Sequence, residues 1–343
     1  MKKLYRILPL LLVVPLSACQ VVYDTYEKHL FAFGTECHYT LYDVANKKSE
    51  EGAEKFYELL KKIDAYADAT TKRDVVGVYD INQTNEKLEI DEDLYWLLYR
   101  AKQLDETISL FNPLVGSLSN LWKDSLAKGV VPDYATIENE ANKISNSSLV
   151  LTASEGKFYA QRMGEAKIDL GAMAKGYALD KCYDLTWEYD CLDHIINLGS
   201  SSIALGVSNS KRTKMSGKMS GCYSIRIDEL SAKYLYLQKS FVSTSGNSQQ
   251  GKEIDGQFYS HIVNPYTGEA LTLYDQVIVV ASEGSGNGAL TDALSTSLMM
   301  SELDDIKKAE ADFDVGIIAI HDSKIYYRSE SVKLYNANGQ EVA

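Results

Sequence analysis

The hydrophobic pattern of the chain changes near Ser148, and this change limits the fold classes open to it. Before Ser148, apolar side chains recur at helical spacing, as Phe56, Leu60 and Ile63 do. After it, short β-type runs are separated by turn residues, with few helical segments between them. Helices in one half and strands in the other favour an α+β fold over a doubly wound parallel sheet. We therefore expect one compact body with helices mainly in the first half and a mixed or antiparallel sheet mainly in the second.

The same patterns predict the individual elements. The predicted helices cover residues 48–67, 91–107, a short segment ending near 122, 171–187, 289–300 and 304–311. After the helix that ends near residue 122, residues 123–147 are predicted as a loop with one short helix. The predicted strands cover residues 35–42, 149–151, 158–160, 166–168, 194–198, 222–227, 234–237, 259–263, 274–280, 315–320 and 324–328.

The N-terminus has the layout of a bacterial secretion signal. Lys2, Lys3 and Arg6 precede a short apolar stretch, and Leu-Ser-Ala-Cys follows, ending at Cys19. This ending resembles the lipobox, in which the cysteine is diacylated and becomes the mature N-terminus. The alternative is an ordinary secretion signal in which Cys19 occurs by chance.

These features divide the chain into three segments. We expect a lipoprotein signal peptide over residues 1–18, a tether over 19–30 and a folded domain over 31–343. A lipid on Cys19 would attach the protein to the outer face of the bacterial cytoplasmic membrane.

Charge and cysteine content exclude some functions. The net charge of −13 argues against nucleic acid as a partner, because phosphate backbones require clustered Lys and Arg. A nucleotide ligand needs only a local site and stays possible. No C-x-x-C pair occurs, so a zinc site of the usual spacing is not expected. Cys182 and Cys191 could form a disulfide or stay as buried thiols, and the sequence leaves both open.

Two separated segments carry the residues with the most chemical content. His261 follows a β-type run and precedes a turn that contains Asn264 and Pro265. Asp292 and Thr296 are four residues apart in a helical pattern, so both oxygens lie on one helix face. A proton acceptor together with hard oxygen ligands suggests a magnesium-assisted reaction on a phosphate. Each also has a purely structural interpretation, since Asp292 could cap a helix and His261 could be a structural histidine.

Three further segments could contact a ligand. Around Lys175, a predicted strand meets a helix N-terminus through small residues, which favours an anion. Tight packing with an exposed lysine explains this segment equally. Polar turns that follow strands at residues 197–202 and 243–247 could bind a phosphate or a ring edge, although such turns are common on surfaces.

The order of these segments resembles the ApbE family, the FAD:protein FMN transferases, over essentially the whole mature chain. Phe33-Gly34-Thr35 resembles the opening segment of that family, and Ser200 stands where the family has a second glycine. The resemblance is carried by residues 169–180, 197–199, 243–246, 259–268 and 292–296.

The resemblance implies a reaction and a set of site residues. FAD would be cleaved at its pyrophosphate, AMP would leave, and FMN would be joined to a Thr or Ser hydroxyl of an extracytoplasmic acceptor protein. His261 and Lys175 would be catalytic, and Mg²⁺ would be held by Asp292, Thr296 and the carbonyl of Ala172. The implied FAD-binding residues are Phe33, Lys175, Asn197, Gly199, Thr244, Ser245, Gly246, His261 and Ile262.

Two other functions fit the same residues. An FAD pyrophosphatase would use water as the acceptor and release FMN and AMP. A lipoprotein that only binds flavin is the alternative outside enzyme chemistry, although a metal at a scissile pyrophosphate argues against pure binding.

Overall fold

The structure is a computed structural model that describes residues 24–44, 47–207, 220–231, 233–247 and 251–342. The predicted signal peptide and Cys19 lie outside the described residues. None of the helices in these ranges combines the length and the apolar character that a bilayer span requires.

Most of the described helices precede Ser148, and most of the described strands follow Ser145. The helices are α1 (Lys47–Ala67), α2 (Val78–Ile81), α3 (Glu92–Thr107), α4 (Gly116–Lys128), α5 (Tyr134–Ser145), α6 (Ala174–Glu188), α7 (Asn287–Leu298) and α8 (Leu303–Phe313). The strands are β1 (Asp24–Ala32), β2 (Thr35–Val44), β3 (Leu88–Ile90), β4 (Ser148–Ser154), β5 (Lys157–Met163), β6 (His194–Leu198), β7 (Ser202–Leu205), β8 (Tyr223–Ile227), β9 (Lys233–Leu237), β10 (Ser240–Gly246), β11 (Gly251–Ile254), β12 (Gln257–Ser260), β13 (Gln276–Ser282), β14 (Gly316–His321), β15 (Lys324–Arg328), β16 (Leu334–Tyr335) and β17 (Glu341–Val342).

A central sheet organises the molecule. Its strand order is β1-β2-β6-β7-β10-β13-β14-β15, and the recorded pairs are all antiparallel. Smaller sheets have the orders β17-β16-β9-β8, β3-β5-β4 and β11-β12. The predicted α+β class is therefore confirmed, and the sheet is antiparallel in the pairs that the structure describes.

Both faces of the central sheet are buried, and neighbouring residues of one strand show this. Val277 belongs to the main core, which the helices share, because its side chain points to their side of the sheet. Ile278 points the other way and packs with Leu235 and Leu334 of the β17-β16-β9-β8 sheet. Burial on both faces explains why β13 reads as a continuous apolar run and not as an alternating one.

Helices α6 and α7 cross at two glycines, and this contact positions the site. A Cβ on Gly176 would lie 2.1 Å from the carbonyl oxygen of Gly288, and a Cβ on Gly288 would lie 2.4 Å from that of Gly176. The carboxylate of Asp180 accepts hydrogen bonds from the N–H groups of Gly288 (2.7 Å) and Ala289 (2.9 Å). Two N–H groups at the start of α7 are thus capped from α6.

The predicted tether is wrong from Asp24 onward. Residues 24–32 form β1, whose partner in the central sheet is β2, with Leu30 opposite Cys37. Leu30 and Ala32 are buried in the main core. The folded domain therefore begins before residue 31. The residues of this segment belong to a strand of the central sheet, and the apolar side chains at its end are buried in the core.

The predicted strand over residues 166–168 is also wrong. This segment is extended, yet it pairs with no strand. Side chains satisfy its backbone instead: the N–H of Ala166 donates to Ser147 Oγ, and the N–H of Ile168 donates to Asn82 Oδ1. Asn82 also donates to the carbonyl of Ile168, at 2.9 Å. Apolar residues in an extended chain give the same pattern whether a strand or a side chain supplies the partners.

Several elements were not predicted at all, namely α2, β3, β7, β11, β16 and β17. Others differ from the prediction in their bounds. The strand predicted over residues 259–263 ends at Ser260, and residues 240–246 form a full strand where only a polar turn was singled out. The described cysteines are free thiols, so the possible pair of Cys182 with Cys191 is not formed.

The close crossing of α6 and α7 predicts a large cost for a methyl group at position 176. Gly176→Ala places a Cβ against Gly288 and forces the helices apart, which should lower the free energy of unfolding by about 2–3 kcal/mol. Urea denaturation measures the loss, and Lys181→Ala on the same helix is the control. A loss no larger than that of the control would show that the crossing is not tightly packed.

Candidate functional site

A cleft of about 740 Å³ opens at one end of the central sheet. The β1–β2 turn, the β6–β7 turn, the end of β10 and the start of β13 all reach this end, as the pairing of Cys37 with Leu198 and of Gly246 with Gln276 shows. The ends and turns of six strands thus place backbone groups and short polar side chains around one opening.

The structure brings the predicted site residues together in this cleft. Its walls include all of the predicted catalytic, FAD-binding and metal-binding residues: Phe33, Ala172, Lys175, Asn197, Gly199, Thr244, Ser245, Gly246, His261, Ile262, Asp292 and Thr296. The predicted lipidation site, Cys19, lies outside the described residues. Residues from distant parts of the sequence therefore share one site, as a common function requires.

Asp292 is the buried anion of the site. It lies in the second turn of α7 and is 4% exposed. One carboxylate oxygen accepts from the N–H of Gly176 at 2.9 Å, and the other accepts from Ser202 Oγ at 2.8 Å. Two donors occupy only part of the acceptor capacity of a carboxylate, so the group can still accept a cation or a further donor.

Lys175 supplies the nearest positive charge. Its Nζ lies 4.0 Å from Asp292 Oδ2, and its side chain is largely shielded from solvent. Lys175 is in the first turn of α6, where the positive end of the helix dipole favours an anion. An ammonium group at this place can contact Asp292 and still face an anionic ligand in the cleft.

Hydroxyl groups join α7 to β10 beside Asp292. Ser245 Oγ lies 3.0 Å from Thr296 Oγ1 and 3.0 Å from Ser295 Oγ. Deeper in the sheet, Ser243 Oγ lies 2.9 Å from Thr291 Oγ1. Alternate residues of β10 therefore face α7 with hydroxyls, while Thr244 between them faces the opposite side of the sheet.

The oxygen donors near Asp292 fit a hard divalent cation. A buried carboxylate lies close to the Thr296 hydroxyl, and the backbone of Ala172 lines the same cleft. Carboxylate, hydroxyl and carbonyl oxygens are the ligands that Mg²⁺ accepts, usually with phosphate oxygens of a substrate completing the set.

Asp180 supports this wall from behind. Burial raises the pKa of its carboxyl to about 7, while the Gly288 and Ala289 N–H groups and the charge of Arg100 act in the opposite direction. Arg100 itself donates to the carbonyl of Gly286 at 2.9 Å. The start of α7 is thus held by α6 and α3, which positions Asp292 one turn later.

Phe33 reaches the cleft through a strained turn. Phe33 and Gly34 both have positive φ values, +53° and +71°, as a two-residue type I′ hairpin requires. The N–H of Phe33 donates to Asp64 Oδ1 of α1 at 2.6 Å. This bond holds a non-glycine residue in the left-handed region, with its aromatic ring among the residues that line the opening.

The β6–β7 turn adds backbone N–H groups to the same rim. Gly199 has φ +70°, and a Cβ there would lie 2.4 Å from Thr35 Cγ2. Ser200 also has a positive φ, +60°, and its N–H donates to Asn197 Oδ1 at 2.7 Å. The left-handed conformation of Ser200 explains why a glycine suits this position.

His261 lines the cleft from a separate segment, the loop that follows β12. Asn264 Oδ1 accepts from the N–H groups of Tyr266 and Thr267, which closes the turn after the histidine. Trp122 of α4 donates its ring N–H to the carbonyl of Gly268 at 2.7 Å. The loop is therefore anchored to α4 at its far end, and His261 is presented to the cleft.

Comparison with known proteins agrees with this geometry. The model of the ApbE family matches residues 33–319. The chain belongs to the ApbE family. The FAD:protein FMN transferase of Treponema pallidum (strain Nichols) is 26% identical over 280 residues, which cover 78% of this chain and 77% of that relative. The enzyme of the same name from Klebsiella pneumoniae (strain 342) is 27% identical over 238 residues, which cover 67% and 71%.

Solved structures share the fold. The ApbE protein from Thermotoga maritima superposes with a TM-score of 0.72 at 25% identity, covering 90% of this chain and 98% of that chain. The flavin transferase ApbE from Vibrio cholerae gives 0.66 at 20% identity, with the same coverage. The predicted family and fold are thereby confirmed.

Sequence reasoning missed several residues of this ApbE cleft. Ser202 bonds the buried Asp292, yet a serine after a turn carries no distinguishing signal. Gln276 lines the cleft at the start of β13 and is 8% exposed, but its Oε1 has no hydrogen-bond partner among the described residues. Ile225 and Arg226 of β8 contribute a further wall. Only the pairing of the strands brings these residues to the cleft.

The raised pKa of Asp180 predicts a loss of stability with rising pH. The folded pKa of about 7 exceeds its ordinary value of 3.8, so its favourable contribution is complete below about pH 4 and is lost as pH rises through 7. The wild type should lose up to about 1.4 kcal/mol per pH unit relative to Asp180→Asn, which cannot titrate. Denaturation curves at a series of pH values test this, and parallel curves for the two proteins would contradict it.

The unsatisfied amide of Gln276 predicts that an apolar residue is more stable in the absence of a ligand. Gln276→Leu keeps a similar volume and removes a buried acceptor without a partner, so it should stabilise the protein by about 1–2 kcal/mol. Thermal unfolding without ligand measures the gain, with the exposed Gln257→Leu as control. Destabilisation by Gln276→Leu would show that the amide has a structural partner.

Proposed function

We propose that this enzyme, an FAD:protein FMN transferase, uses Mg²⁺ to transfer FMN from FAD to a Thr or Ser hydroxyl of an acceptor protein, with release of AMP. One observation carries the proposal. A buried carboxylate with a neighbouring lysine and a histidine on a separate loop open onto one cleft of about 740 Å³. This volume lies within the range of about 300–1,000 Å³ that is typical of ligand sites.

The α6–α7 wall suits the pyrophosphate of FAD. Lys175 offers a positive charge at the N-terminus of a helix, and the charge and the helix dipole both stabilise negative phosphate oxygens. Asp292, Thr296 and the Ala172 carbonyl would hold the metal. When bound, the metal would neutralise charge on the pyrophosphate and on the departing AMP phosphate.

His261 is proposed as the general base. The acceptor oxygen forms a bond to the phosphorus on the FMN side, and the bond from that phosphorus to the bridging oxygen breaks. The bridging oxygen and its electron pair leave with AMP. The proton of the acceptor hydroxyl passes to His261, whose loop lines the same cleft as Lys175.

The proposed location follows from the N-terminal signal. Lipidation at Cys19 would tether the enzyme to the outer face of the cytoplasmic membrane, where its acceptor would be an extracytoplasmic protein. The start of β1 supports this arrangement, because Asp24 is at the end of the sheet opposite the cleft. A lipid a few residues before Asp24 would leave the cleft facing away from the bilayer.

The decisive experiment combines purified protein, FAD, Mg²⁺ and an acceptor domain with a Thr flavinylation site. Covalent flavin on the acceptor, seen as in-gel fluorescence, supports transfer. His261→Gln and Asp292→Asn should each reduce labelling about 100-fold or more, because each removes a group that acts on the reacting atoms. The exposed His29→Gln is the matched control and should label the acceptor normally.

Other outcomes separate the alternatives. Free FMN and AMP without a labelled acceptor would favour an FAD pyrophosphatase. Intact FAD under all conditions would leave only flavin binding. Removal of the metal with EDTA should abolish labelling, and undiminished labelling in EDTA would contradict the magnesium requirement.

A further inference from the structure

A second cavity lies beside the main cleft and shares two of its residues. It has a volume of about 250 Å³ and is lined by Lys123, Leu126, Gly251, Lys252 and His261. Lys123 and His261 also line the main cleft. His261 therefore faces a large cavity on one side and a small one on the other. We call the small cavity, with these five residues, the port.

The charge of the port is opposite to that of the whole molecule. The chain carries a net charge of −13, yet the port has two lysines and no acidic residue among its lining residues. Lys123 Nζ lies 3.4 Å from Asp169 Oδ2 on the side of the main cleft, which neutralises part of its charge. Lys252 forms no ion pair with another residue in the described part of the chain. The local field therefore favours an anionic partner at Lys252.

The backbone around the port also allows a polypeptide to approach. Among the described residues, β11 pairs only with β12, so its other edge has unpaired N–H and C=O groups. Gly251 begins this strand, and a Cβ there would lie 2.1 Å from Phe258 Cζ. The Phe258 ring therefore covers Gly251, and it is the unpaired edge of β11 next to the cavity where an extended segment can bind.

Group transfer requires such a second entrance. The two substrates must reach one base together, and the attacking oxygen must approach the phosphorus in line with the bond that breaks. FAD bound in the main cleft would cover the side of His261 that faces this cleft. The side that faces the port would stay accessible to the acceptor. A hydrolase would need no entrance wider than a water molecule.

We propose that the port is the docking site of the acceptor, and that it selects an extended segment in which acidic side chains flank the hydroxyl residue. This inference rests on the proposed transferase function. The hydroxyl enters between Lys123 and Lys252 to reach His261, and Lys252 contacts an acidic side chain of the segment.

Charge reversal at the port tests the proposal. The probe is a purified acceptor domain whose Thr site is flanked by Asp or Glu. Lys252→Glu should raise the KM for this acceptor about tenfold or more, because like charges then face each other. The Kd for FAD should change less than twofold. Lys308→Glu makes the same charge change at an exposed position of α8 and should alter neither value.

A complementary acceptor gives a second readout. An acceptor whose flanking acids are changed to Lys should be a poor substrate for the wild type and a better one for Lys252→Glu. Equal KM values for Lys252→Glu and Lys308→Glu, with no rescue, would overturn the port assignment while leaving transfer itself intact. Failure of the wild type to label any acceptor would instead overturn the transferase function.

Discussion

The contact between α6 and α7 is the constraint on which the site depends. The two helices approach so closely at Gly176 and Gly288 that a methyl group at either position would contact the opposite backbone. This approach lets the Gly176 N–H donate to a carboxylate on the neighbouring helix, that of Asp292. A buried carboxylate without such donors would be costly. The helix crossing therefore supplies one of the two donors that hold the Asp292 carboxylate in the cleft wall.

The central sheet determines what surrounds that anion. Ser202 and Ser243 are fully buried and face the helices, where apolar residues would normally fill the core. Each has a polar partner, Asp292 for the first and Thr291 for the second. Because these hydroxyls are satisfied, the layer between sheet and helix can be polar without a large loss of stability. A polar layer at the end of the sheet is also where a phosphate can be bound.

The positions of the candidate site residues could be predicted from the sequence better than the elements around them. Asp292 and Thr296 could be placed on one helix face because helical spacing is regular, and His261 could be placed before a turn because Asn264 and Pro265 signal one. Asp24–Ala32 could not be recognised as a strand, since its pairing with β2 is a tertiary contact. The position of Gln276 in the cleft could not be predicted for the same reason, since strand pairing brings it there.

Short extended segments also could not be assigned correctly from the sequence. Residues 166–168 have the composition of a strand, and only the side chains of Ser147 and Asn82 show that their partners are not strands. Phe33 illustrates the converse case. Its left-handed conformation depends on a bond to Asp64, thirty-one residues away, which no local pattern records.

The two walls of the cleft are built from different kinds of structure. The wall with Asp292 is built from a helix and a sheet, and its polar groups are bonded to one another before any ligand arrives. Preorganised charge of this kind lowers a barrier because it needs no rearrangement during the reaction. His261 belongs instead to a loop fixed by Trp122 at its far end and open to the port at its near end. If His261 is the proposed base, its place on such a loop would let it reach a protein substrate that a fully enclosed base could not contact.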